Sequence, residues 1–148
     1  MEKDLDQLKE DMSKLAEQIA DGYGIKLDYT NESIRQVEKI LGFVHKDYKK
    51  TGSEDGMRGV AFEFAAYIVR TIEKNVGPVR WERDHPKIGE NSFPLYLADE
   101  DVIFPFGWCE KRIFDGPGDD IWTKYNVFIL KQDPPEEKKG FFRNLFGR

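Results

Sequence analysis

The longest stretch without alternation runs from Val60 to Ile72, where Glu63 and Arg70 are the only charged residues. A helix that is apolar on nearly every side is normally buried, so this segment is predicted to be the central helix of the domain. Ser53 stands where an N-cap is wanted, with Glu54 and Asp55 favoured by the helix dipole. Gly77 and Pro78 follow the last turn and forbid continuation. At 100° per residue, Ala61, Ala65, Ile68 and Ile72 form one stripe. Glu63, Tyr67 and Arg70 form another on roughly the opposite side. The second stripe reads either as an ion pair at the edge of a core or as the polar wall of a pocket. Buried charges generally occur paired, which favours the first reading.

Two helices are predicted before this segment. Residues 3–20 place Leu5, Leu8, Met12, Leu15 and Ile19 at steps of 3 and 4, a narrow apolar seam of about two heptads. That is short for an independent coiled coil, so docking on the domain is preferred over pairing with a second copy. Residues 31–50 carry Ile34, Val37, Leu41, Val44 and Tyr48 at the same steps, broadened by Ile40 and Phe43. Thr30 is the expected cap, and Gly52 the expected end. The shared spacing suggests that these two helices pack as an antiparallel pair.

After Gly77 the period changes to two. Residues 79–83, 93–98 and 102–106 read as short strands of a small antiparallel sheet, with Pro94 and Pro105 confined to strand ends. Residues 107–114 suggest a short helix. A last helix spans 120–130, with Asp119 as its expected cap and Ile121, Trp122, Tyr125, Phe128 and Ile129 as its apolar face. The fold class is therefore α+β: N-terminal helices packed on a small antiparallel sheet, with one or two C-terminal helices. Residues 1–132 are read as a single domain with the 3–20 helix at its periphery. Residues 133–148 are read as a stiff Pro-containing linker and a basic amphipathic tail.

Composition narrows the function classes. The chain of 148 residues has a net charge of −5, 34% charged residues and 14% aromatic residues. An acidic balance repels phosphate backbones and argues against general nucleic-acid binding. The single cysteine, Cys109, excludes an internal disulfide and a cysteine-rich zinc site. The polar, acidic start of the chain is unlike a secretory signal, and no apolar run approaches the roughly 18 residues of a membrane span. Together these point to a cytoplasmic protein.

Candidate chemistry is sparse. Cys109 with His85 and an acid supplies the parts of a nucleophile, a base and an orienter, but Glu110 beside the thiol works against thiolate formation. His45 with Asp47, and Asp84 with His85, are too few to specify a metal site, and the Asp99–Asp101 run lacks the spacing of a calcium loop. No phosphate-binding glycine loop is present. No cofactor or metal is therefore expected. Around Trp81 and Trp108 aromatic and charged residues interleave, which suits either a core or a groove. In the tail, Phe141, Phe142, Leu145 and Phe146 share one helical face, with Arg143 and other basic residues beside them, a pattern that suits a segment docked back on the domain or disordered, one held in a partner's groove, or one lying on a membrane surface.

The segments AAYIVRTIEKNVGPVRW and FPFGWCEKRIFDGPGDDIWTKYNVFIL place a small-residue helix before a Trp-bearing strand, then a Lys-Arg-Ile stretch and an Asp-Asp-capped helix. This order resembles a family of small bacterial domains of unknown function over about residues 30–131. It departs from that pattern before the Trp, where one glycine, Gly77, stands in place of two. The resemblance implies a bacterial, cytoplasmic α+β domain and no catalytic residue. The expected function is that of a non-enzymatic protein-binding domain, an adaptor or an immunity-type protein. Its candidate binding surface is Glu63, Tyr67, Arg70, Trp81 and Trp108, with the tail as a second docking element. The alternatives are a small hydrolase using a His85/Cys109/Glu63 pocket and a peripheral membrane protein attached through residues 138–148.

Overall fold

The structure is a computed structural model and describes residues 4–132. The predicted central helix is α3, Met57–Asn75. From Phe64 to Val69 every residue has zero exposure. Six residues exceed a full turn, so protein surrounds this part of α3 on every side. The start of α3 differs from expectation. Ser53 does not cap it; its hydroxyl accepts from the Asp55 N–H at 3.2 Å. The helix begins after Gly56, which turns the chain at φ 76°. At the other end the N–H groups of Val76 and Gly77 both return to the Ile72 carbonyl, at 2.9 and 3.3 Å.

α1, Leu5–Gly22, is capped by the Asp4 carboxylate, which accepts from the Gln7 N–H at 2.8 Å. It runs antiparallel to α3, since Lys9 pairs with Glu73 and Ser13 meets Arg70. The face it buries is Ser13, Ala16 and Ala20. The leucine seam read from sequence lies at the flank, where Leu5, Met12 and Ile19 are partly buried against the core. Small side chains allow the two helix axes to approach closely, and this is why they take the contact. The expected pairing of the first two helices is thereby corrected: α1 packs on α3.

α2, Ile34–Thr51, follows a single 3₁₀ turn, Asn31–Ser33, whose cap is Thr30 as expected, with its hydroxyl accepting from the Ser33 N–H at 3.2 Å. It buries Ile34, Val37, Ile40, Leu41 and Val44 against two later helices. These are α4, Pro105–Asp115, and α5, Ile121–Phe128. Asp120, one residue past the expected cap, caps α5 by accepting from the Thr123 N–H at 2.7 Å. Asp119 pairs instead with Lys124 at 3.2 Å.

Between α3 and α4 lies the small sheet, β1 (Arg80–Trp81), β2 (Leu95–Tyr96) and β3 (Val102–Ile103), antiparallel in that order. Trp81 faces Leu95, and Leu95 faces Ile103. The strands are shorter than the sequence pattern implied. Pro94 offers no N–H before β2, Pro105 opens α4 directly after β3, and Phe93 and Glu100 have φ of 52° and 73°. The fold is α+β. Among the described residues, no helix is long and apolar enough to cross a membrane.

Candidate functional site

The stripe Glu63–Tyr67–Arg70 does not form one pocket. Arg70 turns toward α1, donating from Nη1 to Ser13 Oγ at 3.0 Å and to Tyr29 Oη at 3.1 Å, with Glu10 3.6 Å from Nη2. Its guanidinium sits 4.7 Å above the Tyr29 ring, a cation–π contact. Tyr29 Oη in turn donates to Glu17 at 2.7 Å. The ion pair expected between Glu63 and Arg70 is therefore replaced by one with Glu10. Tyr67, offered from sequence as part of a binding surface, has zero exposure. Its hydroxyl accepts from the Tyr29 N–H at 2.8 Å and meets Ser33 Oγ at 2.6 Å. Asn75 completes the clasp by donating to the Tyr29 carbonyl at 2.7 Å. These bonds hold the 23–33 connection against α3, with Tyr29 itself at φ 61°. Glu63 stands outside this network. It is half-buried, and among the described residues no hydrogen bond or ion pair reaches it. Burial pushes its carboxyl above the usual range.

A second polar cluster joins α2, α4 and α5, and sequence reasoning missed it. Arg112 is 6% exposed. Its Nε donates to both oxygens of Glu38 at 2.9 Å, and its Nη2 lies 2.8 Å from Oε2. Glu38 also accepts from the Ile121 N–H at 2.8 Å, so a carboxylate from α2 serves the first turn of α5. Nη1 of Arg112 is buried, with no hydrogen-bond partner among the described residues. A Cβ on Gly42 would come 2.9 Å from Nη2, so the bare glycine lets the guanidinium lie close across α2. The one sequence signal was Gly42, an exception inside an otherwise strongly patterned helix.

The nucleophile–base–acid arrangement is not assembled. Cys109 is fully buried, and burial pushes its thiol far above the ordinary range; its charged neighbours are Lys124, Glu110 and Glu38. His85 sits in the 84–92 connection, where Nδ1 accepts from the N–H groups of Lys87 and Ile88, each at 3.1 Å. His45 donates from Nδ1 to the Ile113 carbonyl at 2.7 Å. Among the described residues, no three His, Cys, Asp or Glu side chains gather as metal ligands would.

Both tryptophans of the expected surface are buried in the core, Trp81 with 9% and Trp108 with 8% of its surface exposed. Trp81 is interior: its indole N–H donates to the Phe93 carbonyl at 3.2 Å, and its ring stacks on Phe62. It is a core residue, contrary to its place in the expected surface. Trp108 packs its ring on Phe128 and also forms part of the wall of an open hollow of about 370 Å³. Phe104, Phe106 and Ile88 continue that wall, with Glu110 and Lys111 among its polar residues. Ile88 is 64% exposed, the most exposed large apolar side chain among the described residues. Phe141, Phe142, Arg143, Leu145 and Phe146, the second docking element, lie outside the described residues.

No family model matches the chain, and neither a curated protein nor a solved structure matches it.

Proposed function

We propose that this protein is a non-enzymatic binding domain of the adaptor or immunity type, acting in the bacterial cytoplasm, and that the Trp108 hollow receives a protein partner. The observation that carries the reading is the pairing of a concave aromatic wall with an exposed Ile88 at its rim. An aromatic anchor site framed by polar residues is the usual centre of binding energy in an interface. The interior supports the same reading. The Arg112 and Arg70 clusters are bound up in bonds between helices, and the buried thiol is held in its unreactive form.

The test is position-specific photo-crosslinking in the native host. A photoreactive amino acid at Ile88 is expected to give a discrete adduct with one protein, and Ile88→Asp to abolish co-purification of that protein. The same reagent at Lys14, exposed on α1, serves as the control. Identical adducts from both positions, or none from Ile88, would overturn the proposal.

A further inference from the structure

The outward face of α2 is charged against the sign of the whole protein. Lys39, Lys46, Lys49 and Lys50 are all exposed, in a chain of net charge −5. Among the described residues none of their ammonium groups has an ion-pair partner. Arg35, at the start of the same face, is engaged by Glu32 at 2.8 Å and lies 4.3 Å over the Trp122 ring. Asp47 is the one acid between the lysines. At 100° per residue Lys39, Phe43, Lys46 and Lys50 fall within about 60° of one another, a ridge about 16 Å long. Phe43 interrupts it with an apolar platform. Its ring stacks on Tyr23 at 5.1 Å, Tyr23 is 41% exposed, and the two border a shallow hollow with Lys46 and Asp47.

We infer that this ridge is a second recognition surface, and that its ligand is an acidic helical segment of a partner polypeptide. Such a helix would present carboxylates to Lys39, Lys46 and Lys50 and one aliphatic side chain to the Tyr23–Phe43 platform. The spacing supports a helix. The contact positions of α2 step by 4, 3 and 4, so a second helix lying alongside repeats the same distances with carboxylates facing ammonium groups. The overall charge favours a peptide over other polyanions. A duplex or an anionic bilayer extends well beyond the Debye length of about 8 Å at physiological salt and meets the acidic remainder of the surface. A single helix lying along α2 is confined to the lysines. Complementary charge of this kind sets partner choice and encounter rate, while the platform adds apolar contact.

The inference is independent of the Trp108 hollow. The test uses the full chain and two fluorescein-labelled alanine-based peptides of about sixteen residues, long enough to form a helix. They carry Glu, Leu, Glu and Glu at spacings of 4, 3 and 4, one in each direction. Fluorescence anisotropy is expected to show that one of them binds, with affinity falling as salt rises. Lys39→Gln with Lys46→Gln should weaken it at least about tenfold, as should Leu→Ser in the peptide. Lys14→Gln with Lys87→Gln, which removes the same charge from exposed positions elsewhere, should leave the affinity within about twofold. Four results would each overturn the inference: no binding of either peptide, equal loss in the two double variants, equal binding of a peptide with the same residues scattered around its helix, or tighter binding of duplex DNA or phosphatidylserine vesicles than of the peptide.

Discussion

Glu38 on α2 and Arg112 on α4 are joined at both carboxylate oxygens, with Nε 2.9 Å from each and Nη2 2.8 Å from one. The same carboxylate accepts the Ile121 N–H, so one side chain ties three helices together. With side chains 18% and 7% exposed, the pair is shielded from water. Removing one member of such a pair leaves the other charge buried and uncompensated. Glu38→Ala is expected to lower stability by about 3–5 kcal/mol in urea unfolding. Replacing both residues with apolar ones, Glu38→Leu with Arg112→Met, should cost clearly less than Glu38→Ala. A double variant as unstable as Glu38→Ala would show that the charges are not the source of the loss.

Gly42 tests the same cluster from the other side. Gly42→Ala puts a methyl group 2.9 Å from Nη2, so the guanidinium must shift away from α2 and strain its bonds to Glu38. A net loss of about 1 kcal/mol is expected, since the strain of overpacking is partly offset by the higher helix propensity of alanine. In the Arg112→Met background the loss should shrink, because a flexible thioether can yield. Equal losses in both backgrounds, read from a double-mutant cycle, would separate Gly42 from Arg112.

Tyr67→Phe removes one hydroxyl and orphans the Tyr29 N–H, while Ser33 Oγ keeps its bond to the Thr30 carbonyl at 2.6 Å. A cost of about 1–3 kcal/mol follows from leaving that polar group unpaired. Because those bonds anchor the 23–33 connection, hydrogen exchange at the Tyr29 amide should accelerate more than exchange along α4. Uniform acceleration would place the effect in global stability alone.

Glu63 carries a pH signature of the less common sign. Burial raises its folded pKa above the unfolded value, so the folded state binds more protons between the two. Its contribution is therefore most favourable below the unfolded pKa, near 4.5, and is lost as pH rises through the raised folded value. Glu63→Gln should stabilise the protein at pH 7 relative to wild type and make little difference near pH 4. Unfolding curves at the two pH values decide it, and a glutamine variant less stable at pH 7 would reverse the sign.

Cys109 should be inert in the folded protein. Full burial keeps the thiol protonated, so a chromogenic disulfide reagent at neutral pH is expected to react at the rate of unfolding and rapidly in denaturant. Fast stoichiometric reaction of the native protein would contradict the buried position.

The sequence by itself determined the elements and their class. The 3-and-4 steps gave α1 and α2, the near-absence of charge between Val60 and Ile72 gave a buried α3, and the alternation after Gly77 gave the antiparallel strands. Thr30 was readable as a cap because its hydroxyl acts three residues away, within the reach of local pattern. Contacts across the chain were not readable in this way. Periodicity reports how far a face is apolar but not which helix meets it. For that reason the leucine seam of α1 drew attention while Ser13, Ala16 and Ala20 took the close contact with α3. Arg70 found Glu10 and Tyr29 rather than Glu63, and Glu38 found Arg112, because packing of α1 on α3 and of α2 on α4 decided which charges lay within reach. Trp81 and Trp108 are equally apolar in sequence. Packing buried both, and only the tertiary structure gave Trp81 its bond to the Phe93 carbonyl and brought an edge of Trp108 to the wall of the hollow beside Ile88.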